Sequence, residues 1–203
     1  MSTAFTALDA AYWQARYDEA RTMWDTGSIT PPLQTYFDQL DVRQQPRILI
    51  PGAGRAYEAE YLHRAGFQQV FVADIAPSAL AAVAGRVPDF PAEHLLLQDF
   101  FALHPTPAPF DLIVEQTFFC ALDPLLRPDY AQQCAHLLRP GGTLMGLLFD
   151  TEFAPSAEPP FGGTSEEYRA CFSPYFEFRH FEKATNSIRP RAGKELFICL
   201  KRK

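Results

Sequence analysis

The sequence predicts an α/β fold: a seven-stranded sheet, mostly parallel with an antiparallel C-terminal strand, and helices on both faces. Three observations carry this expectation. Short β-branched and leucine-rich runs alternate with helical patterns through most of the chain. The first run, Ile48 to Ile50, leads into a glycine turn at Gly52 and Gly54, and the second, Val70 to Ala73, ends on Asp74, about 20 residues further on. The last two runs, Tyr175 to Phe181 and Glu195 to Lys201, are joined by a segment too short for a helical crossover, which makes them an antiparallel pair.

A chain of 203 residues with 47% apolar content fits one domain, 1–203, with a sizeable core. The formal net charge is −6, yet every lysine lies at or after Lys183. An acidic body argues against a nucleic-acid partner, which would need a basic stripe along the fold. The basic tail is expected to cap strand ends. No apolar run approaches the roughly 18 residues of a membrane span, and MSTAFTALDAAYWQ lacks the charged start of a signal peptide. A cytoplasmic protein with no membrane partner is expected, and the sequence leaves its oligomeric state open, with a monomer favoured. Cys120, Cys134, Cys171 and Cys199 are widely spaced and show neither a zinc pattern nor a disulfide framework.

In chain order, residues 7–23 have helix-forming composition, with Trp13 and Tyr17 on one face and Trp24 just beyond. These aromatics read either as core or as a lid whose electron-rich faces suit a cationic ligand. DTGSITPP (Asp25 to Pro32) is a breaker-rich loop, and LQTYFDQL makes a short helix before the first strand. The glycine turn and the helix start after it, AYEAEYLHRAG, form the kind of junction that holds a nucleotide-like ligand. A dinucleotide fingerprint would want a third glycine at position 57, where Tyr57 stands, and this weakens a nicotinamide or flavin reading.

Pro77 to Val87 reads as a helix, His94 to Asp99 as a third strand and Phe110 to Glu115 as a fourth. Asp74, Asp99 and Glu115 thus end three successive strands, along the sheet edge where such folds bind ligands. Arg127 to Leu138 is a helix, and LLRPGG turns into strand five, Thr143 to Phe149. Asp150 to Gly163 is a long Pro- and Gly-rich loop of the kind that borders sites. Thr164 and Glu167 have capping-box spacing for a short helix through Cys171.

Taken together these features resemble the class I S-adenosylmethionine-dependent methyltransferases, whose fold is Rossmann-like. WDTGSITPP, ILIPGAG, VADIAPSAL, QDFF, FDLIVEQTFFCALDPLLRPDYA, LLRPGG, PPFGG, SEEY and SIRPRAGKE resemble the thiopurine S-methyltransferase family, nearest its halide and thiol methyltransferase branch. The likeness spans almost the whole chain in order, and TFFCALDP is far more specific than the glycine turn.

The resemblance implies S-adenosyl-L-methionine as cofactor, S-adenosyl-L-homocysteine as product and residues 1–40 as a lid. It implies cofactor contacts from Trp13, Tyr17, Trp24, Gly52, Gly54, Asp74, Ile75, Asp99, Phe100, Glu115 and Gln116. Asp74 would hold the ribose hydroxyls, Asp99 the adenine amino group, and Glu115 or Gln116 the methionine part. Phe118, Phe161 and Arg127 would meet the acceptor, with Arg127 facing an anionic substrate. By its residue type alone, Arg127 reads first as a surface arginine opening a helix.

Two positions depart from common patterns. Ile50 stands where many methyltransferases carry an acid two residues before the first glycine, an absence this family shares. Phe161 stands where halide-type relatives often have Tyr, and the loss of that hydroxyl is expected to make the pocket more apolar and to count against halide or thiocyanate specificity. The implied activity is methyl transfer to a small soft nucleophile such as a thiol, sulfide or heterocyclic thiol, with halide or thiocyanate as further acceptors. Such acceptors need little or no general base, and Glu115 is the one base candidate. Two rivals stay open: a catalytically silent cofactor-binding or interaction protein, and a nicotinamide-dependent dehydrogenase.

Overall fold

The β-branched and leucine runs bury both faces of a central sheet, and their order brings the chemically equipped strand ends side by side. The computed structural model describes residues 8–154 and 156–203. The strands are β1 (Ile48–Pro51), β2 (Val70–Asp74), β3 (Leu95–Leu97), β4 (Phe110–Gln116), β5 (Leu138–Phe149), β6 (Phe176–Lys183) and β7 (Glu195–Arg202). They stand in the order β3-β2-β1-β4-β5-β7-β6. The first five are mutually parallel, and β7 runs antiparallel to both β5 and β6. Strand order reverses between β1 and β4, and in open α/β sheets a ligand crevice forms outside such a switch point.

Among the described residues six α-helices cover the sheet: α1 (Ala10–Asp18), α2 (Pro31–Phe37), α3 (Tyr57–Arg64), α4 (Pro77–Arg86), α5 (Arg127–Leu137) and α6 (Ser165–Phe172). Successive strand residues point to opposite faces, and this divides the core in two. Ile48, Ile50, Val70 and Val72 pack with Leu33, Leu62 and Val83 of α2, α3 and α4. Leu49, Ile113, Leu144 and Ile198 pack on the other face with Tyr130 of α5 and Phe172 of α6. The capping box expected at Thr164 and Glu167 starts α6.

Three boundaries differ from expectation in ways that shape the site, and others shift by one to three residues. The first helix stops at Asp18 because Ala20 takes a left-handed φ of 54° and turns the chain back. Position 7 of that expected helix, residues 1–7 of the expected 1–40 lid and Pro155 of the expected loop lie outside the described residues. The third strand is cut to Leu95–Leu97, since His94 ends a 3-10 turn and Asp99 caps the next one through its side chain. Strand five starts early, at Leu138, which pairs with Phe110, and a register shift between Phe110 and Leu112 absorbs the Pro-Gly-Gly turn.

Gly146 of β5 faces Glu115 of β4, and a Cβ there would collide with the Glu115 carbonyl oxygen. The Gly146→Ala variant should therefore lose at least about 2 kcal/mol of stability by chemical denaturation, because two central strands would have to separate locally.

Candidate functional site

The C-terminal ends of β1, β2 and β4 open on a cavity of about 1010 Å³. That lies at the upper end of the range for small-molecule sites, roughly 300–1,000 Å³. Its floor is the turn after β1. Gly52 and Gly54 have φ of 54° and 57°, a region that side chains disfavour. A Cβ on Gly52 would strike the Phe118 ring, so glycine here lets the segment after β4 lie directly on the turn.

Asp74 ends β2 beside this turn and is 9% exposed. Its Oδ2 accepts the Gly54 N–H at 3.2 Å and its Oδ1 accepts the Ala76 N–H at 2.9 Å. Burial pushes its pKa above the ordinary carboxylate value, and those two N–H groups pull against the shift. Each oxygen retains capacity for a second donor, such as a vicinal hydroxyl pair. Ile75 lines the wall next to it. Further along, Asp99 lines the cavity while its Oδ1 caps the Phe101 N–H at 2.9 Å. Phe100 packs edge-on to Phe118 at 5.5 Å between centroids.

The roof is aromatic. Trp13 and Tyr17 project from α1, and the chain reversal returns Trp24 to meet them edge-on at 5.6 Å and 5.7 Å. A Cβ on Gly54 would come within 3.1 Å of Trp24 Nε1, so the indole lies over the glycine turn. Helix α1 is tied down at two points. Gln14 exchanges hydrogen bonds with the Ser78 side chain (2.6 Å) and N–H (3.1 Å) at the start of α4. Arg16 pairs with Glu158 at 2.7 Å across the mouth.

Ten of the expected residues thus line one cavity: Trp13, Tyr17, Trp24, Gly52, Gly54, Asp74, Ile75, Asp99, Phe100 and Phe118. Four do not. Glu115 is fully buried beneath the turn after β4, where it accepts the Phe118 N–H (2.8 Å), the Phe119 N–H (2.9 Å) and the Tyr130 hydroxyl (2.6 Å). Both of its oxygens are engaged there, and it does not line the cavity. Gln116 turns to Thr30, whose hydroxyl lies 3.4 Å from its Oε1. Arg127 donates to the carbonyls of Phe161 (3.3 Å) and Gly162 (2.8 Å) between the Phe119 and Tyr168 rings and so ties down that loop. Phe161 is off the wall, which Pro159 and Pro160 form instead.

Other lining residues were not anticipated. Arg191 is 8% exposed and donates to the Trp24 carbonyl at 3.0 Å. SIRPRAGKE drew attention as a motif, but only the β6–β7 hairpin shows that it reaches the roof. Cys120, Leu122, Leu126 and Phe149 complete an apolar wall. Burial pushes the Cys120 thiol up to about 12, which keeps it protonated and inert as a nucleophile. The arrangement can enclose and dehydrate a ligand.

The chain matches the family model for thiopurine S-methyltransferase over residues 8–199. It is 31% identical to a probable thiol methyltransferase 2 of Arabidopsis thaliana over 187 residues, covering 90% of this chain and 81% of the relative. It is 30% identical to thiocyanate methyltransferase 1 of Brassica oleracea over 188 residues, with the same coverage. The fold is similar to that of a Burkholderia thailandensis 1,6-didemethyltoxoflavin-N1-methyltransferase solved with S-adenosylhomocysteine. That likeness has a TM-score of 0.71 at 19% identity and covers 100% of this chain and 93% of the other.

Burial raises the Glu115 carboxyl to about 7 in the folded chain, against an ordinary value of 4.5. Between those two values the folded state binds the extra proton, so this group's contribution to stability falls as pH rises. The stability of wild type relative to Glu115→Gln should therefore drop between pH 4.5 and 7, by on the order of 3 kcal/mol, and then level off. Denaturant melts of both proteins across that range measure it.

Proposed function

The chain belongs to the thiopurine S-methyltransferase family, and on that premise we propose that it methylates a small soft nucleophile, a thiol, sulfide or heterocyclic thiol, with halide and thiocyanate as further acceptors. It is an S-adenosylmethionine-dependent methyltransferase. The observation that carries the reading is Asp74, held by the Gly54 and Ala76 N–H groups at the floor of a cavity roofed by Trp13, Tyr17 and Trp24.

These residues fit the cofactor. Asp74 has acceptor capacity for the two ribose hydroxyls, and Asp99 with Phe100 offers an acceptor and a ring edge for adenine. The electron-rich faces of the roof suit a sulfonium charge. When bound, the cofactor supplies a methyl group already activated on sulfur. What the chain adds is alignment and dryness. Leu122, Leu126, Phe149 and Pro159 strip water from the acceptor, which raises the reactivity of a soft anion. A thiol of pKa near 8.5 is a few per cent ionised at neutral pH, so the sealed Glu115 and protonated Cys120 are no obstacle. The names of the thiol and thiocyanate methyltransferase relatives support this acceptor class.

A lid role for residues 1–40 belongs to the same proposal, supported by the Gln14–Ser78 and Arg16–Glu158 ties. So do action as a monomer, a cytoplasmic location and the lack of a nucleic-acid partner, the last supported by the net charge of −6. Among the described residues no helix is long and apolar enough to cross a membrane.

Calorimetry should show binding of S-adenosylhomocysteine and none of NAD, and Asp74→Ala should weaken the former by roughly 1–3 kcal/mol. Unchanged affinity would remove Asp74 from the site. Headspace analysis after incubation with S-adenosylmethionine and thiol, sulfide, iodide or thiocyanate should detect the methylated volatile. Binding without any such product would favour a catalytically silent protein.

A further inference from the structure

Tyr57 stands where a dinucleotide-binding turn would carry its third glycine, and its hydroxyl has a specific partner. It donates to Asp25 Oδ1 at 3.0 Å. Asp25 directly follows Trp24, and its carboxylate is gripped from two more sides. The Gly27 N–H donates to Oδ1 at 2.8 Å, and Arg55 Nε lies 3.3 Å from Oδ2. Arg55 and Tyr57 bracket the left-handed Ala56, where the glycine turn passes into α3. Arg86 covers the Tyr57 ring at 4.8 Å, and Arg55 lies 5.8 Å from the Tyr17 ring. One carboxylate therefore joins the roof of the cavity to its floor, one residue from the indole that lies over Gly54.

We propose that Asp25, clasped by Tyr57 and Arg55, is a positioning residue that seats Trp24 over the glycine turn and so prepares the cavity for S-adenosylmethionine. The inference rests on reading the cavity as the site of that cofactor. Residues 19–30 lie between α1 and α2 and form no regular helix or strand. Without the clasp, a ligand would have to order this segment itself, and the entropy lost would be subtracted from its binding free energy. With the clasp the segment is ordered beforehand. The effect belongs to cofactor affinity and leaves acceptor affinity alone. Asp25 retains 23% side-chain exposure, so solvent weakens the ion pair and most of the effect comes from the hydrogen bonds.

The test uses Tyr57→Phe, which keeps the ring and removes only the donor, together with Asp25→Ala and the double variant. S-adenosylhomocysteine binding by calorimetry should weaken roughly 5- to 30-fold in each single variant. The double variant should be no more than about 2-fold worse than the weaker-binding single, because both remove one clasp. KM for S-adenosylmethionine should rise while the acceptor KM stays constant. With no ligand present, acrylamide quenching of the two tryptophans should increase in Tyr57→Phe without loss of the folded far-ultraviolet signal. Wild-type affinity and wild-type quenching in Tyr57→Phe would overturn the clasp while leaving the cofactor reading intact. Failure of the wild type itself to bind S-adenosylhomocysteine would instead sink the cofactor reading, and the quenching would still decide whether the clasp seats the roof.

Discussion

A carboxylate at the floor of a largely apolar cavity needs donors for its oxygens, and Asp74 finds them in the N–H groups of Gly54 and Ala76. The rest of the site depends on that pair of bonds. Gly54 presents its N–H to β2 only because it and Gly52 take left-handed backbone angles, and Gly52 in turn leaves room for Phe118. The sheet order supplies the proximity: Pro51 lies beside Ala73, and β4 flanks β1 on the other side. Three strand ends and one turn thus converge, and the helix starts after β1 and β2 frame the same crevice.

Glu115 shows how another carboxylate at an equivalent strand end acquires a different fate. After β4 the chain turns sharply at Thr117, which takes a φ of 61°. The turn aims the Phe118 and Phe119 N–H groups back at the carboxylate, and α5 adds the Tyr130 hydroxyl. Glu115 is therefore spent on shaping the segment that carries Phe118 and Cys120 into the cavity. A site organised in this way holds and dehydrates its ligands, which matches acceptors that are reactive without deprotonation by the enzyme.

Most of the fold and the cavity lining around the glycine turn were legible in the sequence because their signals are local. Ile48 to Ile50 followed by Gly52 and Gly54 is a strand and turn wherever it occurs, and Asp74 lies at a fixed distance from it. The tryptophans were legible as a group, although the helix holding them is shorter than its composition suggests. Ala20 ends it early, and this reversal is what brings Trp24 to Tyr17. What stayed hidden depends on contacts between distant segments. The loop carbonyls of Phe161 and Gly162 capture Arg127, and Thr30 turns Gln116 aside. Arg191 reaches the Trp24 carbonyl from the far end of the chain, a separation across which no spacing rule operates.

The most direct measurement is a crystal structure of the protein with S-adenosylhomocysteine bound. The ribose hydroxyls should lie within hydrogen-bond distance of the Asp74 carboxylate, with adenine at Asp99 and Phe100 and the sulfur facing the wall of Cys120, Phe149 and Pro159. A ligand bound elsewhere, or one whose ribose leaves Asp74 untouched while Glu115 swings out to meet it, would contradict the account.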